Sequence, residues 1–444
     1  MRRRDFMRTV GAGAAWALHG FAFSSVQTEV RKPNIVLIMA DDLGAECLGC
    51  YGGTSYRTPH LDVLAASGIR FENAYCTPVC TPSRVQLMTG QYPFHNGWPD
   101  GIWTKPRDQK FLDPGLFNFA QMLKGAGYAT AVAGKWQLAR FEDRPHHAAE
   151  IGFDEHCLWT WEYETEDPNM AKEGGARLAR YWDPGVWKNG ALMENTRGKF
   201  GPDIYTDFLL DFMERKKTEP FFVYYPMALT HWPFVPTPDM EGDKDGARRG
   251  PEAQKNFAAM VEYMDKLVKR IVDKLDELGI RENTLVLFTG DNGTAQELES
   301  GLNGRVISGG KNTLTEEGAR VPLIAHWKGI TPEGRVSEDL IDFTDMLPTF
   351  ADMAGARLPA GARIDGRSFL PQLRGQAGNP RDWIYCQLVD DWFIRDKRWR
   401  LRKNGELADL SDRYWPRVVT ENSSPQAAAA KRRLSREMAS LRAS

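Results

Sequence analysis

Two stretches of this chain are apolar almost throughout, Asn34-Ile-Val-Leu-Ile-Met-Ala40 and Thr284-Leu-Val-Leu-Phe-Thr289. Strands covered on one face alternate apolar and polar residues, whereas continuous runs of this length suit strands buried on both faces. Tyr128 to Ala133 and Phe221 to Tyr225 read the same way. Helical periodicity lies between these runs. Thr58 can cap a helix with Pro59 at its first position, Leu61, Leu64 and Ala65 inward, and Gly68 past its end. Phe257, Met260, Val261, Met264, Leu267, Val268, Ile271 and Leu275 keep a 3.6-residue period until Gly279. Strands alternating with helices predict an α/β fold, a mostly parallel, mixed central sheet sandwiched by helices. From about Arg381 the pattern changes to short aromatic and β-branched segments, Trp383 to Leu388, Trp392 to Ile394 and Trp399 to Leu401. These predict a smaller antiparallel sheet. The expected organisation is a main unit over 32–375 and a C-terminal subdomain over 376–444, ending in an exposed helix from Ala427 to Ser444.

The residues at the carboxyl end of each strand direct attention to chemistry. Asp41-Asp42 come after the first run, Gly134-Lys135 after the second, His231 a short loop after the third, and Asp291-Asn292 after the fourth. In open α/β sheets ligands bind outside the carboxyl ends of the strands, so all four are expected at one site. Asp41, Asp42, Asp291 and Asn292 offer only oxygen donors, which select a hard cation such as Ca²⁺ or Mg²⁺ over zinc or copper. A zinc reading rests on Cys47-x-x-Cys50, which lacks a second pair at suitable spacing.

Composition removes other classes. The 444 residues are 42% hydrophobic and 26% charged, enough for a large core, and 57 basic against 59 acidic residues give a net charge of −2. That balance gives no global attraction to nucleic acid. Residues 1–27 read as an export signal: Arg2, Arg3 and Arg4, an apolar run from Val10 to Phe23 without acidic residues, then a polar stretch. The run is too short for the roughly 20 residues of a membrane span, and Arg3-Arg4-Asp5-Phe6-Met7 resembles a twin-arginine signal, which implies a periplasmic destination. No later segment reads as transmembrane.

Cys80-Thr81-Pro82-Ser83-Arg84 is the most informative stretch. Thr81 is a candidate N-cap, Pro82 suits the first turn, Val85, Leu87 and Met88 continue a helix, and Gly90 ends it. Cys80 then lies just before a helix N-terminus, where backbone N–H groups favour an anion or a reactive thiol.

N-I-V-L-I-M-A-D-D-L-G, C-T-P-S-R-V-Q-L-M-T-G, G-K-W, H-W-P-F-V-P, L-F-T-G-D-N-G and G-G-K-N-T-L-T-E-E-G occur in this order. Together they resemble the formylglycine-dependent type I sulfatases of the alkaline-phosphatase-like superfamily, over about Lys32 to Leu373. The resemblance implies a sulfuric ester hydrolase in which a maturation enzyme converts Cys80 to formylglycine. A metal at Asp41, Asp42, Asp291, Asn292 and the residue at 80 would hold its hydrate, one hydroxyl attacking sulfur and the other later expelling sulfate. By motif position, Arg84 would stabilise the hydrate and Lys135 and Lys311 would neutralise sulfate oxygens. His231 would protonate or position the leaving oxygen. Where the family has G-K-W-H-L-G, this chain has Gln137, an amide that cannot take up a proton near neutral pH; His95 is a candidate replacement base. The expected substrate is a sulfated carbohydrate or small molecule. Trp98, Trp103, Trp159, Trp161, Trp182 and Trp187 are candidates for stacking on sugar rings, and Phe141 to Lys199 for substrate-facing loops. Two alternatives stay open: a phosphate or phosphonate monoester hydrolase of the same superfamily, and a sulfated-glycan-binding protein without turnover.

Overall fold

The run Asn34–Ala40 forms strand β1, and all seven residues are buried, as a strand covered on both faces requires. The computed structural model describes residues 32–161, 172–173 and 177–443, so the candidate export signal lies outside the described residues. β1 belongs to a ten-stranded sheet. Its other members are β2 (Ile69–Tyr75), β3 (Ala129–Lys135), β4 (Glu155–Trp159), β5 (Val186–Lys188), β6 (Ala191–Leu192), β7 (Phe221–Pro226), β8 (Thr284–Gly290), β9 (Arg320–Trp327) and β10 (Arg335–Asp342). The spatial order is β10-β2-β9-β8-β1-β7-β3-β4-β5-β6. Pairing is parallel from β8 through β1, β7 and β3 to β4, and between β2 and β10. It is antiparallel where β9 meets β8 and β2, and around β5. The mixed, mostly parallel centre expected from the sequence is therefore observed. Pro322 lies in β9 where the register against β2 shifts, a bulge position that tolerates a missing N–H.

Helices flank the sheet. α1 (Pro59–Ala66) and α4 (Gly201–Lys216) both pack on α5 (Gly250–Glu277), and α2 (Cys80–Thr89), α3 (Phe119–Gly125) and α6 (Met346–Ala354) pack on one another. α5 buries the whole 3.6-period series from Phe257 to Leu275. Two caps differ from expectation. Thr58 does not cap α1, because its hydroxyl accepts the Gly49 N–H at 3.0 Å and donates to Asp62. α2 begins at Cys80 itself with Val79 flanking it, and Thr81 Oγ1 accepts the Ile102 N–H instead. Gly90, at φ 67°, ends α2 as predicted.

The C-terminal segment builds a five-stranded antiparallel sheet of β11 (Ile384–Leu388), β12 (Asp391–Arg395), β13 (Trp399–Arg402), β14 (Leu407–Asp409) and β15 (Arg417–Val419). The terminal helix α7 (Pro425–Ala443) is not simply exposed. Ala427, Ala430, Leu434, Met438 and Leu441 form a stripe buried against Tyr385, Ile394, Trp399, Leu401 and Leu407. Among the described residues no helix is long and apolar enough to cross a membrane.

Candidate active site

β1 and β8 are parallel neighbours in register, Ala40 opposite Gly290, so the acidic pairs at their carboxyl ends emerge side by side. The Asp42 N–H donates to Asp291 Oδ1 at 3.0 Å, and Asn292 Nδ2 donates to Asp42 Oδ1 at 2.8 Å. The loop after β7 is tied to the same edge: Asp41 N–H donates to the Leu229 carbonyl and Thr230 N–H to that of Asp41, each at 2.7 Å. β3 delivers Lys135. Gly134 before it has φ 117°, and a Cβ there would lie 2.1 Å from the Pro226 carbonyl oxygen; no side chain fits that approach between β3 and β7.

Cations meet these acids. Lys135 Nζ donates to Asp41 Oδ2 at 2.7 Å, and Lys311 Nζ to Asp42 Oδ2 at 2.7 Å. Arg84, entirely buried, donates from Nε and Nη2 to Asp291 Oδ2 and from Nη1 to the Lys135 carbonyl. A fourth cation, Arg180, lies 3.7 Å from Asp41 Oδ2 with its guanidinium 4.2 Å from the Trp159 ring centre. Four cations therefore face three carboxylates, a balance that favours an anionic ligand. Burial pushes Asp41 up, yet Lys135, Arg84, Lys311 and Arg180 together hold it at about 2. Burial and the neighbouring Asp41 push Asp291 up to about 7, against the pull of Arg84. His231 is driven well below its ordinary value by burial, Arg180, Lys311 and Lys135, so it is neutral. Its Nδ1 donates to the Trp232 carbonyl at 2.6 Å, leaving Nε2 3.7 Å from Asp42 Oδ2.

The acidic pairs fit a divalent cation. Asp41 Oδ1 and Asn292 Oδ1 are buried without a hydrogen-bond donor among the described residues, a costly state that a cation relieves. One atom each of Asp41, Asp42 and His231 lies within 4.8 Å of the others. Oxygen dominates the set, as a hard ion requires. Among the described residues Cys47 and Cys50 join no group of three metal-ligating side chains, so the zinc reading finds no site; Cys47 is buried beside Thr294 at 3.3 Å.

Cys80 is the first residue of α2, and its thiol donates to Gln137 Oε1 at 3.3 Å. Arg84, one turn along α2, donates to Asp291 Oδ2 at 2.7 Å, linking the helix that carries Cys80 to the acidic pairs. A cleft of about 700 Å³ opens over this group, lined by Gln137, His231, Lys311 and Arg180 and walled by Trp103, Trp159, Trp161 and Trp232. Three of the six candidate tryptophans thus reach the cleft. Trp98 packs under Lys105, Trp182 donates to the Pro236 carbonyl, and Trp187 stacks on Phe141. His95 is not a replacement base, since its ring nitrogens are engaged by Asp365 and Arg363. Sequence reasoning missed Arg180, Trp232, Arg248 and Arg249 at the cleft. Trp232 beside His231 was the one readable signal.

Comparison with known proteins agrees with this geometry. The sulfatase family model matches residues 33–356. The chain is 31% identical over 420 residues to steryl-sulfatase of Rattus norvegicus, covering 77% of this chain and 70% of that protein. It is 33% identical over 379 residues to arylsulfatase A of Homo sapiens, covering 80% and 70%. Ps i-CgsB, solved in complex with k-i-k-neocarrahexaose, aligns with a TM-score of 0.73 at 26% identity over 93% of each chain. Motifs, fold and relatives converge over most of the length, and this protein belongs to the sulfatase family of sulfuric ester hydrolases.

Proposed function

We propose that this protein hydrolyses the sulfate monoester of a sulfated carbohydrate, with Cys80, matured to formylglycine by a dedicated enzyme, as the nucleophile. The observation that carries the reading is the convergence of Cys80, Lys135, Lys311, His231 and the two acidic pairs beneath one aromatic cleft. A divalent cation, Ca²⁺ or Mg²⁺, held by Asp41, Asp42, Asp291, Asn292 and the residue at 80, would supply Lewis acidity toward an attacking hydroxyl and a sulfate oxygen. Formylglycine at 80 would supply an aldehyde hydrate with two hydroxyls on one carbon, one for attack and one for release of sulfate.

The chain's own side chains do the rest. Arg84, pinned by Asp291 and the Lys135 carbonyl, fixes the floor under residue 80. Lys135 and Lys311, which meet Asp41 and Asp42 here, would neutralise sulfate oxygens. Their charge is then aimed where negative charge develops. His231 is neutral in the free site because burial and three cations depress it; with Nδ1 on the Trp232 carbonyl, its Nε2 positions the leaving oxygen and donates to it only once that nitrogen has taken up a proton. Gln137 orients the group at 80 without accepting its proton. Trp103, 44% exposed at the cleft, offers a face to a sugar ring, while Trp159 and Trp161 are buried in its wall. The basic, apolar leader supports export of the folded protein by a twin-arginine route.

The test is sulfate release from an aryl sulfate by matured, cation-loaded enzyme, with the matching aryl phosphate beside it. Sulfate turnover in excess is expected. A large preference for phosphate would instead assign a phosphate or phosphonate monoester hydrolase. The presence of Gln137 favours one rival, a glycan-binding protein without turnover; tight binding of sulfated glycan with no sulfate released would establish it.

A further inference from the structure

Resting on the sulfatase reading, we propose that the cleft holds a second anionic substituent of the sugar, a sulfate or a carboxylate, between Arg248 and Arg249. The arginines are consecutive, both line the cleft, and neither forms an ion pair with an acid of the described residues. The cations of the cleft floor differ: Lys135 and Lys311 are engaged by Asp41 and Asp42. Exposed arginines are ordinarily solvated and wander. Arg248 is held, its guanidinium lying 4.6 Å from the centre of the Trp232 ring. Trp232 is the next residue after His231, so this cation is anchored beside the residue that faces the leaving group.

Arg249 flanks the first turn of α5, which has no side-chain cap. The positive end of a 28-residue helix therefore lies at the same wall. Glu297 is the one carboxylate lining the cleft among the described residues, too little to neutralise the pair. Planar guanidinium groups with donors to spare, one stacked on an aromatic face, match the paired oxygens of a sulfate or carboxylate. The preferred substrate is thus a sugar carrying two anionic groups: one ester at the cleft floor and a second charge at its rim.

Three disaccharides of one backbone test this: monosulfated, disulfated, and monosulfated with a uronate carboxylate. Wild-type enzyme is expected to show a KM lower by about tenfold, equivalent to about 1.4 kcal/mol, for a compound with the second anion. The double variant Arg248→Ala, Arg249→Ala loses that preference. A gain confined to the disulfated compound assigns a sulfate, and one confined to the uronate a carboxylate. Equal KM for all three in the wild type overturns the proposal, as does full preference in the double variant. If none releases sulfate, the hydrolase reading fails. Calorimetric binding of the same saccharides to cation-loaded protein then still decides the second site, by the same ratio of affinities.

Discussion

Replacing Lys135 by Met keeps the length of the side chain and removes one charge. The Lys135–Asp41 pair is 2.7 Å long and fully buried. At an effective dielectric of about 20, two unit charges that close attract by about 6 kcal/mol. Deleting one partner of a buried pair typically costs about 3–5 kcal/mol, because the other charge is stranded. Here Arg84 at 3.6 Å and Arg180 at 3.7 Å remain on Asp41. The expected cost is therefore at the low end, about 3 kcal/mol. With an unfolding entropy of about 2 cal/mol/K per residue over about 400 residues, Tm falls by about 3–4 °C. Turnover falls further, by about 10²–10³ in kcat, the usual loss when a charge aimed at the reacting group is removed. Fluorimetric melting and sulfate release from an aryl sulfate read the two effects separately. A lowered Tm with wild-type kcat would make Lys135 only a partner of Asp41, and an unchanged Tm would refute the buried pair.

Gln137 sits at φ 54°, where His is tolerated better than Gln. Gln137→His is therefore expected to fold with a change within about 1 kcal/mol, raise kcat about tenfold, and add a limb to the pH–rate profile. An unchanged profile would show that proton transfer at this position does not limit turnover. Chelation is expected to lower Tm, and Ca²⁺ or Mg²⁺ at about 100 times Kd to restore about 2.7 kcal/mol. Because Asp291 is pushed up to about 7, a proton competes with the cation, and affinity rises with pH through neutrality. No shift with either ion would defeat the cation site. Burial lowers His147 from 6.5 to about 4, so below 6.5 the unfolded chain takes up a proton that the folded protein refuses. Stability is lost as pH falls from 6.5 to 4, by up to about 3 kcal/mol from this residue; urea titrations of wild type and His147→Gln at both ends check it, and parallel pH slopes would contradict it.

The centre of the fold was legible because β1, β3, β7 and β8 are buried on both faces and their sequences are apolar almost throughout. β2 and β10 were not, since residues such as Arg70, Glu72 and Glu338 interrupt them. β9 was hidden by Pro322, whose bulge only the register shows. The terminal helix α7 carried its buried stripe openly, but its many Ala, Arg and Lys residues obscured it. Most of the site was readable because strand ends bring together residues far apart in sequence, Asp41 with Asp291 and Lys135. Arg180, Arg248 and Arg249 carry no local motif, and only the folding of their loops turns them toward the cleft.

Peptide mass analysis of the segment containing Cys80, in enzyme actively releasing sulfate, tests the nucleophile most directly. The account predicts an aldehyde at position 80 in place of the thiol, in a fraction of molecules that tracks specific activity. An active preparation in which every molecule keeps an unmodified Cys80 would contradict it.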